Sequence, residues 1–112
     1  MVICVPVMME GMIDPRWGRA DRVAIAEVKD DGIAAWQEFE VGWSTLHDAG
    51  TEGSHHARVV RFLQDHHVEG VVANNMGMPM VHTLERMGLK VWLGAAGDAR
   101  KAVMTAIDGA PN

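Results

Sequence analysis

Residues 2–7, "VICVPV", form an almost unbroken apolar run. Such a run reads as a short strand covered on both faces. Pro6 cannot donate to a ladder, which places it near the strand's end. Residues 8–21, "MMEGMIDPRWGRAD", carry two glycines and a proline and read as a long loop. "RVAIAEV" (22–28) and "AAWQEFEV" (34–41) predict two further strands. Asp31-Gly32 between them signals a hairpin, because glycine permits positive φ, so these strands are expected as antiparallel neighbours. Residues 42–53 read as another loop. Ser54 is a capping residue type, and helical spacing runs from it to about His67. Its apolar stripe is Val59, Val60 and Leu63. At 100° per residue His56 and His67 fall near the stripe's centre, and His55 and His66 at its edge.

"VEGVVA" (68–73) and "KVWL" (90–93) are short apolar strands. Between them Pro79 suits the first turn of a helix, and Gly88 suits its end. Met80, Val81, Leu84 and Met87 give that helix a buried side, with His82 opposite. Asp98 is a candidate cap for a last helix whose stripe is Ala99, Ala102, Val103 and Ala106. The order is β-β-β-α-β-α-β-α. Its second half alternates strands and helices, which implies parallel strands with right-handed crossovers. The prediction is an α/β fold, a mixed five-stranded sheet with three helices on its faces. At 112 residues and 48% hydrophobic content, the chain suits one domain with its own core, here 1–108, followed by a short tail, 109–112.

Charge and cysteine content narrow the function classes. The net charge is −5 without a long run of one sign, so a basic nucleic-acid footprint is not indicated. No apolar segment approaches the roughly 20 residues of a membrane span, and the N-terminus lacks the positive region of a signal peptide. A single cysteine, Cys4, excludes an internal disulfide and points to the cytoplasm. Cys4 lies mid-strand and reads as a small buried hydrophobe.

In open α/β sheets, ligands bind outside the carboxyl ends of the parallel strands. That edge comprises residues 8–19, 74–78 and 94–97. Arg16 and Arg19 bring positive charge there, and Trp17 brings a flat apolar face. Helix N-termini add free N–H groups that favour anions. Met76 and Met78 precede a helix at a strand's end, where thioethers can line a site. His55 and His56 complete a mouth suited to a small anion with soft-metal character. His66 and His67 suit a helix C-terminus, where the dipole favours a protonated ring. Neither histidine pair has the i, i+4 spacing of a conventional zinc site. "NNMGMP" lacks the lysine and spacing of a Walker loop. No serine or cysteine has an evident His-Asp partner, and no carboxylate cluster projects from the sheet centre, so hydrolytic and two-metal chemistry are disfavoured.

"MVICVPV", "PRWGRADRVAIAEVKDDG" and "VEGVVANNMGMPMVHTLERMGLKVWLGAAGDARKAV" together resemble the dinitrogenase iron–molybdenum cofactor biosynthesis family. That family includes carriers of the nitrogenase cofactor or its precursor, and a small orange protein holding a molybdenum–copper sulfide cluster. The resemblance covers nearly the whole chain. It is carried by Trp17-Gly18-Arg19-Ala20 and by the turn Asn74-Asn75-Met76-Gly77-Met78-Pro79. It implies a ribonuclease H-like fold and a non-catalytic carrier of an anionic metal–sulfur cluster containing molybdenum. Arg16, Trp17, Gly18, Arg19, Asn74, Asn75, Met76, Gly77 and Met78 would hold the cluster, with His55, His56 and Met76 as metal donors. Two positions depart from the family: Trp17 stands where phenylalanine is usual, and the turn has one glycine. The alternative is an interaction module without a cluster, docking to a cluster-assembly protein or to a second copy. Trp36, on the same face as Glu38 and Glu40 and so expected outward, motivates that reading together with Trp43.

Overall fold

The computed structural model describes residues 1–30, 32–46 and 52–109. The elements are β1 (Val2–Pro6), β2 (Arg22–Lys29), β3 (Gly32–Glu40), α1 (Trp43–Leu46), α2 (Glu52–Asp65), β4 (Gly70–Val72), α3 (Met78–Arg86), β5 (Lys90–Trp92) and α4 (Ala99–Asp108). The sheet order is β3-β2-β1-β4-β5. The first three strands are antiparallel neighbours, whereas β1, β4 and β5 run parallel. The mixed five-stranded α/β sheet expected from the pattern is therefore present.

β1 is apolar throughout because it is the central strand, covered on both faces. Ile3 and Val5 face one core, which α4 closes with Ala99, Ala102 and Val103. Cys4 faces the other, where α2 contributes Val59 and Leu63 and α3 contributes Met80, Val81 and Leu84. Fully burying each of these larger aliphatic side chains stabilises by about 1.5–3 kcal/mol relative to exposure. Gly70 lets β4 sit close beneath Trp92. A Cβ there would lie 2.6 Å from Trp92 Cζ3 and 3.0 Å from Ile3 Cδ1.

Several local expectations change. The hairpin turn falls one residue earlier than the Asp-Gly pair suggested. Lys29 pairs with Gly32, Asp30 takes the left-handed φ of 54°, and β3 starts at Gly32. Asp31 lies outside the described residues. So do residues 47–51 of the expected second loop and 110–112 of the expected tail. The described part of that loop carries a fourth helix, α1, which buries Trp43 and whose Trp43 N–H donates to the Ala20 carbonyl at 3.0 Å. α2 begins at Glu52, so Ser54 lies inside its first turn instead of capping it. The buried stripe of α2 is His55, Val59 and Leu63, spaced i, i+4, i+8. His55, not His56, is thus the inward histidine. α2 ends at Asp65, because His67 turns out at φ 55°. His66 is half-buried against Phe62 and Phe39, with ring centroids 4.4 and 4.6 Å apart. Asp98 caps α4 as expected, its Oδ1 accepting from Lys101 N at 3.0 Å.

Trp36 does not stand free. It is half-buried, and the Arg100 guanidinium lies 4.5 Å from its ring centroid. Trp43 is 2% exposed. Both tryptophans that motivated an interaction surface are therefore engaged within the fold. Among the described residues no helix is long and apolar enough to cross a membrane.

Candidate functional site

After β1 the chain folds back across the carboxyl edge of the parallel strands. The Asp14 N–H donates to the Pro6 carbonyl at 3.0 Å, and Arg16 bridges in parallel to Asn75 beyond β4. A 3₁₀ turn, Trp17–Arg19, follows. This places residues 15–19 opposite the turn at 75–77, with the first turns of α2 and α3 completing the walls. The enclosed cleft has a volume of about 370 Å³. Arg16, Trp17, Gly18, Arg19, His55, His56, Asn75, Met76 and Gly77 all line it, joined by Pro15, Pro79 and Met80. Of the residues singled out from sequence, Asn74 and Met78 are not in its lining. Asn74 Nδ2 donates to the Ala95 carbonyl at 3.0 Å, tying the β4 turn to the β5 turn. Met78 opens α3 and is 56% exposed.

The hydrogen bonds of His55 fix its chemical state. Its Nε2 lies 2.8 Å from the Gly18 carbonyl, and its Nδ1 lies 3.0 Å from Arg58 Nη1. A carbonyl only accepts and a guanidinium only donates. His55 is therefore neutral, with its proton on Nε2. Arg58 Nη1 also donates to the Leu46 carbonyl at 3.2 Å. The imidazole is 2% exposed and meets Trp43 edge-on at 6.4 Å. With both ring nitrogens engaged, His55 acts as the strut that holds the 3₁₀ turn onto α2.

Electrostatics in the cleft are set by Arg16 and Arg19. Asp14, 4% exposed, accepts from the Arg16 backbone N–H at 3.0 Å and from its Nε at 3.3 Å. The hydrogen bond to Asp14, and then its charge, raise the Arg16 guanidinium above its ordinary range. Asp14 thus orients Arg16 and offsets part of its charge. Arg19 is exposed on the last position of the 3₁₀ turn. α3 starts from Gly77 without a side-chain cap and with no acidic residue in its first turn, which leaves the positive end of its dipole unneutralised from within the helix.

Trp17 is 2% exposed and packs edge-on against Trp43 at 5.3 Å. Its indole Nε1–H is buried with no hydrogen-bond partner among the described residues. Leaving such a donor unsatisfied costs about 1–3 kcal/mol. Met76 is 7% exposed, at once part of the core and of the cleft wall. Cys4 does not line the cleft, and burial pushes its thiol well above the ordinary range. Among the described residues, no three His, Cys, Asp or Glu side chains are grouped to hold a metal ion. Sequence reasoning missed Asp14 and Arg58. Their signals were modest: an aspartate directly before Pro15, and an arginine one helical turn beyond His55.

The family model described as dinitrogenase iron-molybdenum cofactor matches residues 1–109. The chain belongs to this family. No curated protein matches it. Among solved structures, the apo orange protein of Desulfovibrio gigas is 21% identical, with a TM-score of 0.74 over 99% of this chain and 95% of that one. A Thermotoga protein described as NifB-like and assigned to the DUF35 family is 22% identical, with a TM-score of 0.71 over 96% and 88%. A dinitrogenase-like protein of Methanocaldococcus jannaschii is 12% identical, with a TM-score of 0.69 over 100% and 92%. At these identities the likeness is one of fold. It extends over nearly the full length of each structure, so the fold is shared without large insertions.

Proposed function

We propose that this domain holds an anionic, molybdenum-containing metal–sulfur cluster as cargo in the 370 Å³ cleft, without catalysing a reaction on it. The observation that carries the reading is convergence. Residues from three separated segments meet around one space, which combines two arginines, a helix start without a side-chain cap and a buried indole donor without a partner among the described residues. Each of these groups complements negative charge or a lone pair. The family membership supports a cofactor-related role, and the orange protein shares the fold.

In this reading Arg16 and Arg19 both complement the charge of the cargo, Arg16 in the orientation that Asp14 gives it. The Trp17 indole donates to a sulfide or oxo edge of the cargo. His56 and Met76, both in the cleft wall, are an imidazole and a thioether that can serve as borderline and soft donors. His55 positions Gly18 and keeps the wall in place. A carrier receives and releases its cargo through other proteins, so its partners are cluster-assembly proteins of the cytoplasm. The interaction-module reading loses its motive once Trp36 and Trp43 are found engaged inside the fold.

Anaerobic titration with tetrathiomolybdate, followed by visible absorption, tests this directly. Saturable binding is expected, weakened about tenfold or more by Arg19→Ala, the size of a lost hydrogen bond between charged groups. Arg16→Ala should weaken it as well. No saturable change with wild-type protein, or equal binding by the Arg19→Ala variant, would sink the proposal.

A further inference from the structure

Among the described residues, every large hydrophobic side chain exposed at the surface is a methionine: Met1, Met8, Met9, Met12 and Met78. Among the described residues the leucines, isoleucines and tryptophans are all buried or half-buried. Three of these methionines lie in one short hairpin. Val7 and Ile13 are bridge partners, the Met8 N–H donates to the Met12 carbonyl at 2.8 Å, and the Gly11 N–H donates to the Met8 carbonyl at 3.0 Å. Gly11 takes the left-handed φ of 83° that this turn requires. The register sets Met8 across from Met12 on one face, and sends Val7 and Ile13, 1% and 5% exposed, into the core on the other. Directly opposed residues have Cβ atoms about 4.5–5.5 Å apart. Met9, at the corner between them, is 85% exposed.

The hairpin is anchored. Ile13 N–H donates to the Gly97 carbonyl at 2.8 Å, Ala99 N–H donates to the Gly11 carbonyl at 2.9 Å, and Met12 bridges to Asp98. The backbone that presents the three sulfurs is thus pinned to the start of α4, while the unbranched side chains retain the freedom to converge. Thioether sulfur is a soft neutral donor that selects Cu(I) over hard or borderline cations. Cys4, the one thiol, is fully buried and its thiolate is disfavoured, so it does not compete. Glu10 within the turn favours a cation. The neighbouring cleft, which Met8 and Met9 border, carries Asp14, Asp21 and Glu40 against Arg16 and Arg22.

We propose that the Met8–Met12 hairpin binds one Cu(I) ion through the thioethers of Met8, Met9 and Met12. No donor is shared with the cluster cleft, so this site stands or falls separately. The test uses the full chain labelled at the methionine methyl carbons, titrated with Cu(I) under ascorbate without sulfide or molybdenum. The methyl signals of Met8, Met9 and Met12 should shift together and saturate at one equivalent, with Met76, Met78 and Met80 unmoved. Competition against bicinchoninate should then show at least a tenfold loss in the variant combining Met8→Leu, Met9→Leu and Met12→Leu, and none in Met78→Leu. The backbone amide spectrum checks that the triple variant keeps its fold, and the wild-type methyl shifts locate the ion independently of any variant. Failure to bind Cu(I), shifts confined to methionines outside the hairpin, or undiminished binding by the folded triple variant would overturn the proposal.

Discussion

Replacing His55 by alanine removes two hydrogen bonds at once, one to the Gly18 carbonyl at 2.8 Å and one from Arg58 at 3.0 Å. A neutral hydrogen bond contributes about 1 kcal/mol, and one to a charged group about 1.5–3 kcal/mol. The Arg58 bond belongs at the lower end, because Arg58 is half-buried and keeps its bond to the Leu46 carbonyl. Deleting most of a side chain that is 2% exposed adds a cavity beside Trp43. The sum is about 2–4 kcal/mol, a large fraction of the 5–15 kcal/mol typical of a folded domain. Urea unfolding followed by tryptophan fluorescence measures it, and the melting temperature should drop by roughly 4 °C for each kcal/mol lost. His55→Gln, which can still donate toward Gly18 but cannot reproduce Nδ1, should lose about half as much. Amide exchange at Trp17–Arg19 should quicken in the alanine variant, since the strut of the 3₁₀ turn is gone. A change below about 0.5 kcal/mol, within the range of ordinary surface substitutions, would refute the strut.

Other expectations follow from packing and burial. Gly70→Ala sets a Cβ 2.6 Å from Trp92 Cζ3 and should lower stability by about 1–3 kcal/mol; an unchanged melting curve would contradict that close approach. Leu84→Ala empties a fully buried site between α3 and the sheet and should cost about 2–5 kcal/mol in the same urea assay. Burial raises the Cys4 thiol above its unfolded value, so folding favours the protonated form. Its contribution is therefore fully present below the ordinary thiol range and declines as pH rises beyond it. In the native protein Cys4 should resist a thiol reagent until denaturant is added, and prompt reaction would contradict its burial.

Much of the architecture can be read from the pattern. The apolar run of β1, the hairpin signal and the later strand–helix alternation suffice for a mixed sheet, because each reports burial directly. The cleft was readable for the same reason: loops that follow parallel strands end on one edge. The errors arise where burial is not apolar. α2 shows no apolar residue except Ala57 before Val59, so hydropathy gives no frame for its first turns. His55 is buried because its two ring nitrogens are satisfied, a compensation that a hydrophobic stripe does not record. Trp36 does share a face with Glu38 and Glu40, but that face is only partly covered. Trp36 pairs with Ala26, and Arg100 of α4 lies over its ring. Glu38 and Glu40 lie further along, where Arg22 pairs with both at 3.6 and 2.9 Å. Asn74 and Met78 flank the cleft turn in sequence, yet one side chain reaches toward β5 and the other into solvent. Direction within a turn depends on backbone dihedrals that residue type constrains weakly.

The most direct measurement is metal and acid-labile sulfide analysis of protein purified without oxygen and without an affinity-tag metal, alongside its visible spectrum. A carrier loaded in its cell is expected to hold molybdenum and sulfide in fixed ratio to protein, with charge-transfer absorption that disappears in an Arg19→Ala, Met76→Leu double variant. Colourless, metal-free protein that also fails to take up tetrathiomolybdate, or a chromophore indifferent to those two substitutions, would contradict cluster binding in this cleft.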